Sequence, residues 1–156
     1  MMACDWQLEE DCMLVFDLTV TKRADEDDNS WGACLLGCNT VSFGDIKIIK
    51  NNTPFMKIAM LYWMEYVYND APMLVFIAAS PDVKTAEKAS DFLGKYLRIT
   101  VDGVSYNFVK NQAGTYYIDD NLYGSTRWYQ GVEAQKLGTM LKQNVGKILS
   151  FCFNWK

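Results

Sequence analysis

Histidine occurs nowhere in the 156 residues. It is the commonest acid–base group near neutral pH and the commonest metal ligand. Its absence removes Ser-His-Asp and Cys-His nucleophile activation from this chain, and the His-containing zinc hydrolase sites with them. An apolar run of the ~18 residues needed to cross a bilayer is missing as well. The most apolar stretch, Phe55 to Ala79, is interrupted by Lys57, Glu65, Asn69-Asp70 and Pro72, so it reads as two buried elements. No glycine loop has phosphate-cradling spacing: Gly138 and Gly146 are too far apart, and Gly103 belongs to a hairpin signal. Met1-Met2-Ala3-Cys4-Asp5-Trp6 turns acidic at once without a basic n-region, so no secretory signal is expected.

Basic charge is also in short supply. The net charge is −4, and residues 1–30 hold nine acids against Lys22 and Arg23. Broad binding to a phosphate backbone needs concentrated Lys and Arg, so nucleic acid is an improbable partner and a basic protein surface a better match. A disulfide framework is not expected either, because Cys4, Cys12, Cys34, Cys38 and Cys152 are odd in number and irregularly spaced. Cys34-x3-Cys38 would need two further ligands to hold zinc, with Cys4 and Cys12 the nearest candidates. Both thiols of the close pair lie in the apolar run Trp31–Cys38, where buried cysteines are ordinary. These observations lead to the expectation of a soluble cytoplasmic protein (host cytosol if the source is viral or a mobile element) with no metal or cofactor.

What is present is a globular composition, half apolar and 14% aromatic, in a length that suits one domain over residues 1–156. Cys12, Leu14, Phe16, Leu18 and Val20 alternate with less apolar neighbours, which predicts a strand. Strands follow near Trp31–Gly37 and Thr40–Lys50, with Gly44 at a bulge. Thr53-Pro54 supplies a cap and a first-turn proline, predicting a helix over Pro54–Tyr68 that is apolar all round. Met73–Ala79 has the pattern of a central strand, and Ser80-Pro81-Asp82 opens a second helix running to about Tyr96.

Asp102-Gly103 is a two-residue hairpin signal. Pairing across it sets Val101, Ile99 and Leu97 against Val104, Tyr106 and Phe108 on one face, with Thr100/Ser105 and Arg98/Asn107 on the other. A strand over Thr115–Ile118, a loop over Asp119–Gln130, a helix over Val132–Asn144 and a terminal strand with Leu149, Phe151, Phe153 and Trp155 on one face complete the chain. The expected class is α+β: mostly antiparallel sheet in the order βββαβ-α-βββαβ, with about three helices packed on it.

Three constellations bear on function. Tyr117-Ile118-Asp119-Asp120 resembles the Tyr-x-Asp-Asp of reverse transcriptases, in which adjacent aspartates hold the metal ions of nucleotidyl transfer. The resemblance implies a Mg²⁺ site completed by an earlier carboxylate, for which Asp17 is the candidate. It covers four residues of a chain too short for palm, fingers and thumb together, and it leaves a Mg²⁺-dependent enzyme as the alternative reading. Asp45-Ile46-Lys47 after Asp27-Asp28 fits a nuclease pattern, but Asp82-Val83-Lys84 fits it equally well inside a predicted helix.

The third constellation is the segment 115–130, in which Tyr116, Tyr117, Tyr123, Trp128 and Tyr129 are interleaved with Asp119, Asp120 and Arg127. Tyr, Trp and Arg are enriched at binding hot spots. With the acidic loop Asp25, Glu26, Asp27 and Asp28 beside Trp31, this segment predicts a partner-binding surface. The expected function is non-catalytic: a small acidic module that masks a protein partner, in the manner of inhibitors, immunity proteins and anti-defence proteins. A homodimer or virion component with the apolar segment 54–68 at its contact is a further alternative.

Overall fold

A computed structural model describes residues 12–23, 29–36, 38, 42–55, 57–65, 72–109, 113–119 and 122–156, with 113–119 described for the backbone alone. Eleven strands and two helices run along these residues. The strands are β1 Leu14–Thr19, β2 Thr21–Lys22, β3 Ser30–Cys34, β4 Asp45–Asn51, β5 Lys57–Met64, β6 Met73–Ser80, β7 Leu97–Val101, β8 Val104–Phe108, β9 Ala113–Asp119, β10 Leu122–Tyr129 and β11 Ile148–Trp155. Helix α1 (Val83–Leu93) lies between β6 and β7, and α2 (Val132–Gln143) between β10 and β11.

All pairings are antiparallel and make two sheets, a five-stranded one ordered β4-β1-β11-β7-β8 and a six-stranded one ordered β2-β3-β5-β6-β10-β9. Period-two alternation builds the first sheet. Leu14, Phe16 and Leu18 of β1 and Leu149, Phe151, Phe153 and Trp155 of β11 point to one side and are buried. Facing them from the second sheet are Leu61, Trp63, Leu74 and Phe76, so both sheets share one core. A fully buried side chain of this size contributes about 1.5–3 kcal/mol.

The helices are inserted along this inner side. Asp82 caps α1 by accepting from the Thr85 N–H at 2.7 Å, and Ala86, Ala89 and Leu93 are buried against β6, β9 and β10. Helix α2 packs on β8, β6, β5 and β3 through Ala134, Leu137 and Leu141. It comes close because Gly138 has no side chain: a Cβ there would stand 2.2 Å from the Trp63 ring. Between α1 and β11 the hairpin takes the predicted register, from Leu97 opposite Phe108 to Val101 opposite Val104, with positive φ at Asp102 and Gly103.

The expected class, an α+β fold built mainly of antiparallel sheet, is observed, but the order differs, and two helices stand among the described residues. Residues Lys57–Met64 of the expected helix 54–68 are strand β5. The Thr53-Pro54 signal makes a turn instead: the Asn51 carboxamide oxygen accepts from the Thr53 N–H (3.0 Å) and hydroxyl, and its NH₂ donates to the Phe55 carbonyl at 3.0 Å. Residues apolar all round mean here a central strand buried on both faces, between β3 and β6. Likewise the expected loop 119–130 holds strand β10. Gly44 precedes β4 at the bend where Phe43 bridges Cys34, and the irregularity of the β1–β4 ladder falls between Val15 and Phe16.

The cysteines also depart from expectation. Cys12 is bonded to Cys152 and Cys34 to Cys38, with Cα separations of 5.5 and 6.2 Å. Antiparallel pairing of β1 with β11 sets Val15 opposite Cys152, and Cys12, just ahead of β1, reaches it across 140 residues of sequence, a proximity that spacing along the chain does not reveal. With these four sulfurs in disulfides, the zinc reading of Cys34 and Cys38 is withdrawn. Among the described residues no helix is long and apolar enough to cross a membrane.

Candidate functional site

The aromatic segment lies on an extended ladder, and strand alternation divides it. Ser125, Arg127 and Tyr129 of β10 turn inward, while Thr126 and Trp128 belong to the opposite face of the second sheet. Arg127 is 5% exposed. Its Nε donates to the Leu93 carbonyl at 3.0 Å and its Nη2 to the Ser90 carbonyl at 3.4 Å. A cation thus satisfies carbonyls at the C-terminal end of α1, where the helix dipole favours positive charge. Burial pulls the guanidinium below its ordinary pKa. Gly94 leaves the room, since a Cβ at that position would lie 2.5 Å from Nη2. Tyr129 is buried too, its ring centroid 4.8 Å from that of Phe108, and burial pushes its hydroxyl far above the usual tyrosine range.

Arg127 and Tyr129 are therefore parts of the packed interior and are corrected as contact residues. Arg127→Leu is expected to lower the unfolding free energy by about 2–3 kcal/mol, because it leaves two helix-end carbonyls without a charged donor. Urea unfolding measures it, and an unchanged midpoint would contradict the assigned role.

Trp128 is different. It is 38% exposed on a strand whose neighbouring side chains are buried. Directly across the ladder from Trp128 lies Val75, then Tyr62, then Gly32, then Thr21, so one row runs from β10 through β6, β5 and β3 to β2. Tyr62 and Met73 on this face are half-buried. Leu36, Cys38 and Phe43 pack over the cluster of Cys34, Met60, Val75 and Ile77, with the Phe43 ring 6.2 Å from Tyr62. The Cys34–Cys38 disulfide therefore anchors a loop that covers one part of an apolar sheet face, and Trp128 stands at its β10 side.

Other predicted residues are dispersed. Tyr123 is half-buried at the start of β10. Tyr116, Tyr117 and Asp119 lie on β9, paired with Gly124, Tyr123 and Leu122. Their side chains, together with Asp120, Asp25, Glu26, Asp27 and Asp28, lie outside the described residues. Trp31 is half-buried, with Lys142 Nζ 5.0 Å and Lys22 Nζ 6.0 Å from its ring. Lys142 also donates to both oxygens of Glu65 at 2.9 Å, and the Trp63 indole donates to Oε2 at 3.2 Å. Burial pushes the Glu65 carboxyl upward, but these hydrogen bonds outweigh it and leave the pKa below the ordinary value. An aromatic–cation cluster of this fold thus occupies the Trp31 ring.

Asp17 accepts from the Ser150 hydroxyl at 2.6 Å on the solvent side of the first sheet, whereas Asp119 ends the edge strand of the second. Among the described residues no three His, Cys, Asp or Glu side chains are grouped to hold a metal ion.

Tyr62 and Met73 escaped the sequence reading because they fall in the misassigned helix and a uniformly apolar run. A cleft of about 180 Å³ at the far end of the first sheet was missed as well; Tyr96, Arg98, Asn107, Val109, Asn154 and Lys156 line it. Its signal was available, since the hairpin register already set Arg98 beside Asn107 on the polar face.

Fold and site together define an α+β protein of two antiparallel sheets over one core, with an aromatic-bearing face on the second. Residues 39–156 match a family described as "Domain of unknown function (DUF7823)", and the chain belongs to that family. The match takes in β4 to β11 and both helices, whereas β1 and β3, which precede it, lie inside the two sheets. No curated protein and no solved structure matches the chain.

Proposed function

We propose that this is a non-catalytic protein-binding module that masks a partner, using the outer face of the second sheet around Trp128. The observation that carries this reading is the exposure of Trp128 in a row shared with Val75 and Tyr62. Trp is the side chain most enriched at binding hot spots, and a rigid sheet presents it at little entropic cost. Inhibition by occlusion, as an immunity or anti-defence protein acts, is the form this takes. The acidic run 25–28 would complement a basic partner.

The two disulfides suit an oxidising compartment better than the cytosol, so the proposal places the protein there rather than in the cytoplasm. Trp128→Ala is expected to weaken partner binding by about 2 kcal/mol, roughly thirtyfold, without changing the fold. Wild-type and variant protein immobilised in parallel would be challenged with source extract, and each retained protein identified and titrated. A partner held by the wild type and lost by Trp128→Ala supports the surface. Equal retention by the two refutes it.

A further inference from the structure

The cleft of the first sheet lies on the other sheet from Trp128, and its chemistry is different. Strands β11, β7 and β8 are adjacent, and their register places Asn154, Arg98 and Asn107 directly opposite one another. Residues facing each other across a ladder hold their Cβ atoms about 5 Å apart, so the three polar ends form a continuous row roughly 10 Å wide. The row belongs to the side of the sheet away from the core, since Leu97, Phe108 and Trp155 next to it are buried. Tyr96 stands at one end, 63% exposed, and the Lys156 N–H donates to its carbonyl at 2.8 Å, which brings that lysine beside the ring.

Arg98 and Lys156 are two cations in a protein of net charge −4, and among the described residues neither has an ion-pair partner. Glu133 accepts from the Asn107 backbone N–H at 3.3 Å and pairs with Lys136 at 3.6 Å.

We propose that this cleft binds a small hydroxy-carboxylate of about one sugar ring, such as a uronic-acid unit. The planar guanidinium of Arg98 matches a carboxylate through two parallel hydrogen bonds. Carboxamides flank it on both sides. Each both donates and accepts, so they suit hydroxyl groups next to the carboxylate. The exposed Tyr96 ring gives an apolar surface for the ring's C–H face, and Lys156 adds a second positive charge. The cleft is small, about 180 Å³, below the range of drug-sized ligand sites, which favours a single ring over an extended chain. This site is independent of the masking surface.

The test is an amide NMR titration of the isotopically labelled full chain with D-glucuronate, alongside D-glucose and inorganic phosphate. Glucuronate is expected to shift the amides of Arg98, Asn107 and Asn154 saturably with a Kd on the order of 1 mM, and Arg98→Gln to weaken it at least roughly tenfold. D-glucose is expected to produce no saturable shift. Lys156→Gln, at an exposed position, repeats the test with a loss of roughly threefold should Arg98→Gln disturb the fold. Failure of glucuronate to saturate by roughly 20 mM, equal binding of D-glucose, tighter binding of phosphate, or unchanged affinity in both variants would each overturn the assignment.

Discussion

Replacing Cys12 and Cys152 together by alanine is expected to lower the unfolding free energy by about 5 kcal/mol, against about 2 kcal/mol for Cys34 with Cys38. The difference comes from the loops each bond closes. Cys12 and Cys152 are 140 residues apart in sequence, Cys34 and Cys38 only four. In the chain-entropy account a cross-link destabilises the unfolded ensemble more the longer the loop it closes, so the first bond constrains nearly the whole chain and the second one bend. A loss of about 5 kcal/mol is comparable to the whole stability of many domains, so the doubly substituted protein is expected to be largely unfolded near 37 °C. Urea unfolding of the two paired variants, with and without reductant, measures the order of effects. Thiol titration in denaturant without reductant should find one free thiol per chain, since Cys4 alone is left over. A smaller loss for the long-range pair than for the short one would contradict this assignment of partners.

Reduction has a second consequence through the other bond. The Cys34–Cys38 loop carries Leu36 and leads to Phe43, both of which pack on the face that carries Trp128. Opening that bond would loosen the cover beside the proposed contact while leaving the shared core in place. Under the proposed function, reduction would thus act on stability through one bond and on the contact face through the other.

The parts of the fold legible in the sequence were those governed by local rules. Leu97–Phe108 could be written residue by residue because Asp102-Gly103 fixes the turn and alternation fixes the register. The strands at Leu14–Thr19 and Ile148–Trp155 showed the same alternation, and Val132–Gln143 kept helical spacing despite Gly138. Local rules failed where burial is two-sided. Ile58–Trp63 has no polar face in any period, and the Pro54 signal then tipped it towards a helix although both neighbours in space are strands.

In β10 the mixture of Gly, Ser, Thr and Arg hid a strand because Arg127 is inward and polar. Its partners, the Leu93 and Ser90 carbonyls, are 34 and 37 residues away. The candidate site suffered from the same error. Aromatic residues adjacent in sequence were read as one surface, and a strand sends them to opposite faces. Only Trp128 of that group stands clearly exposed among the described side chains.

Phe153→Ala is expected to cost about 4 kcal/mol, in the range for truncating a buried phenylalanine. Phe153 is fully buried on β11. Its ring centroid lies 5.2 Å from Phe16 of the same sheet and 5.2 Å from Phe76 of the other, with Trp155 at 5.5 Å. Pairs of this kind add to plain area burial, and the surrounding rings belong to strands held in two ladders, so the cavity cannot readily collapse. Phe153→Leu keeps much of the volume and should lose only about 1–1.5 kcal/mol. The size of the alanine effect also tests whether the sheets fold as one unit. With Phe153 joining them, wild type and variant should each unfold in a single urea transition, displaced to lower midpoint with the slope retained. Two resolved transitions, or a loss below about 2 kcal/mol, would mean that the sheets are stabilised separately and that Phe153 is not their common anchor.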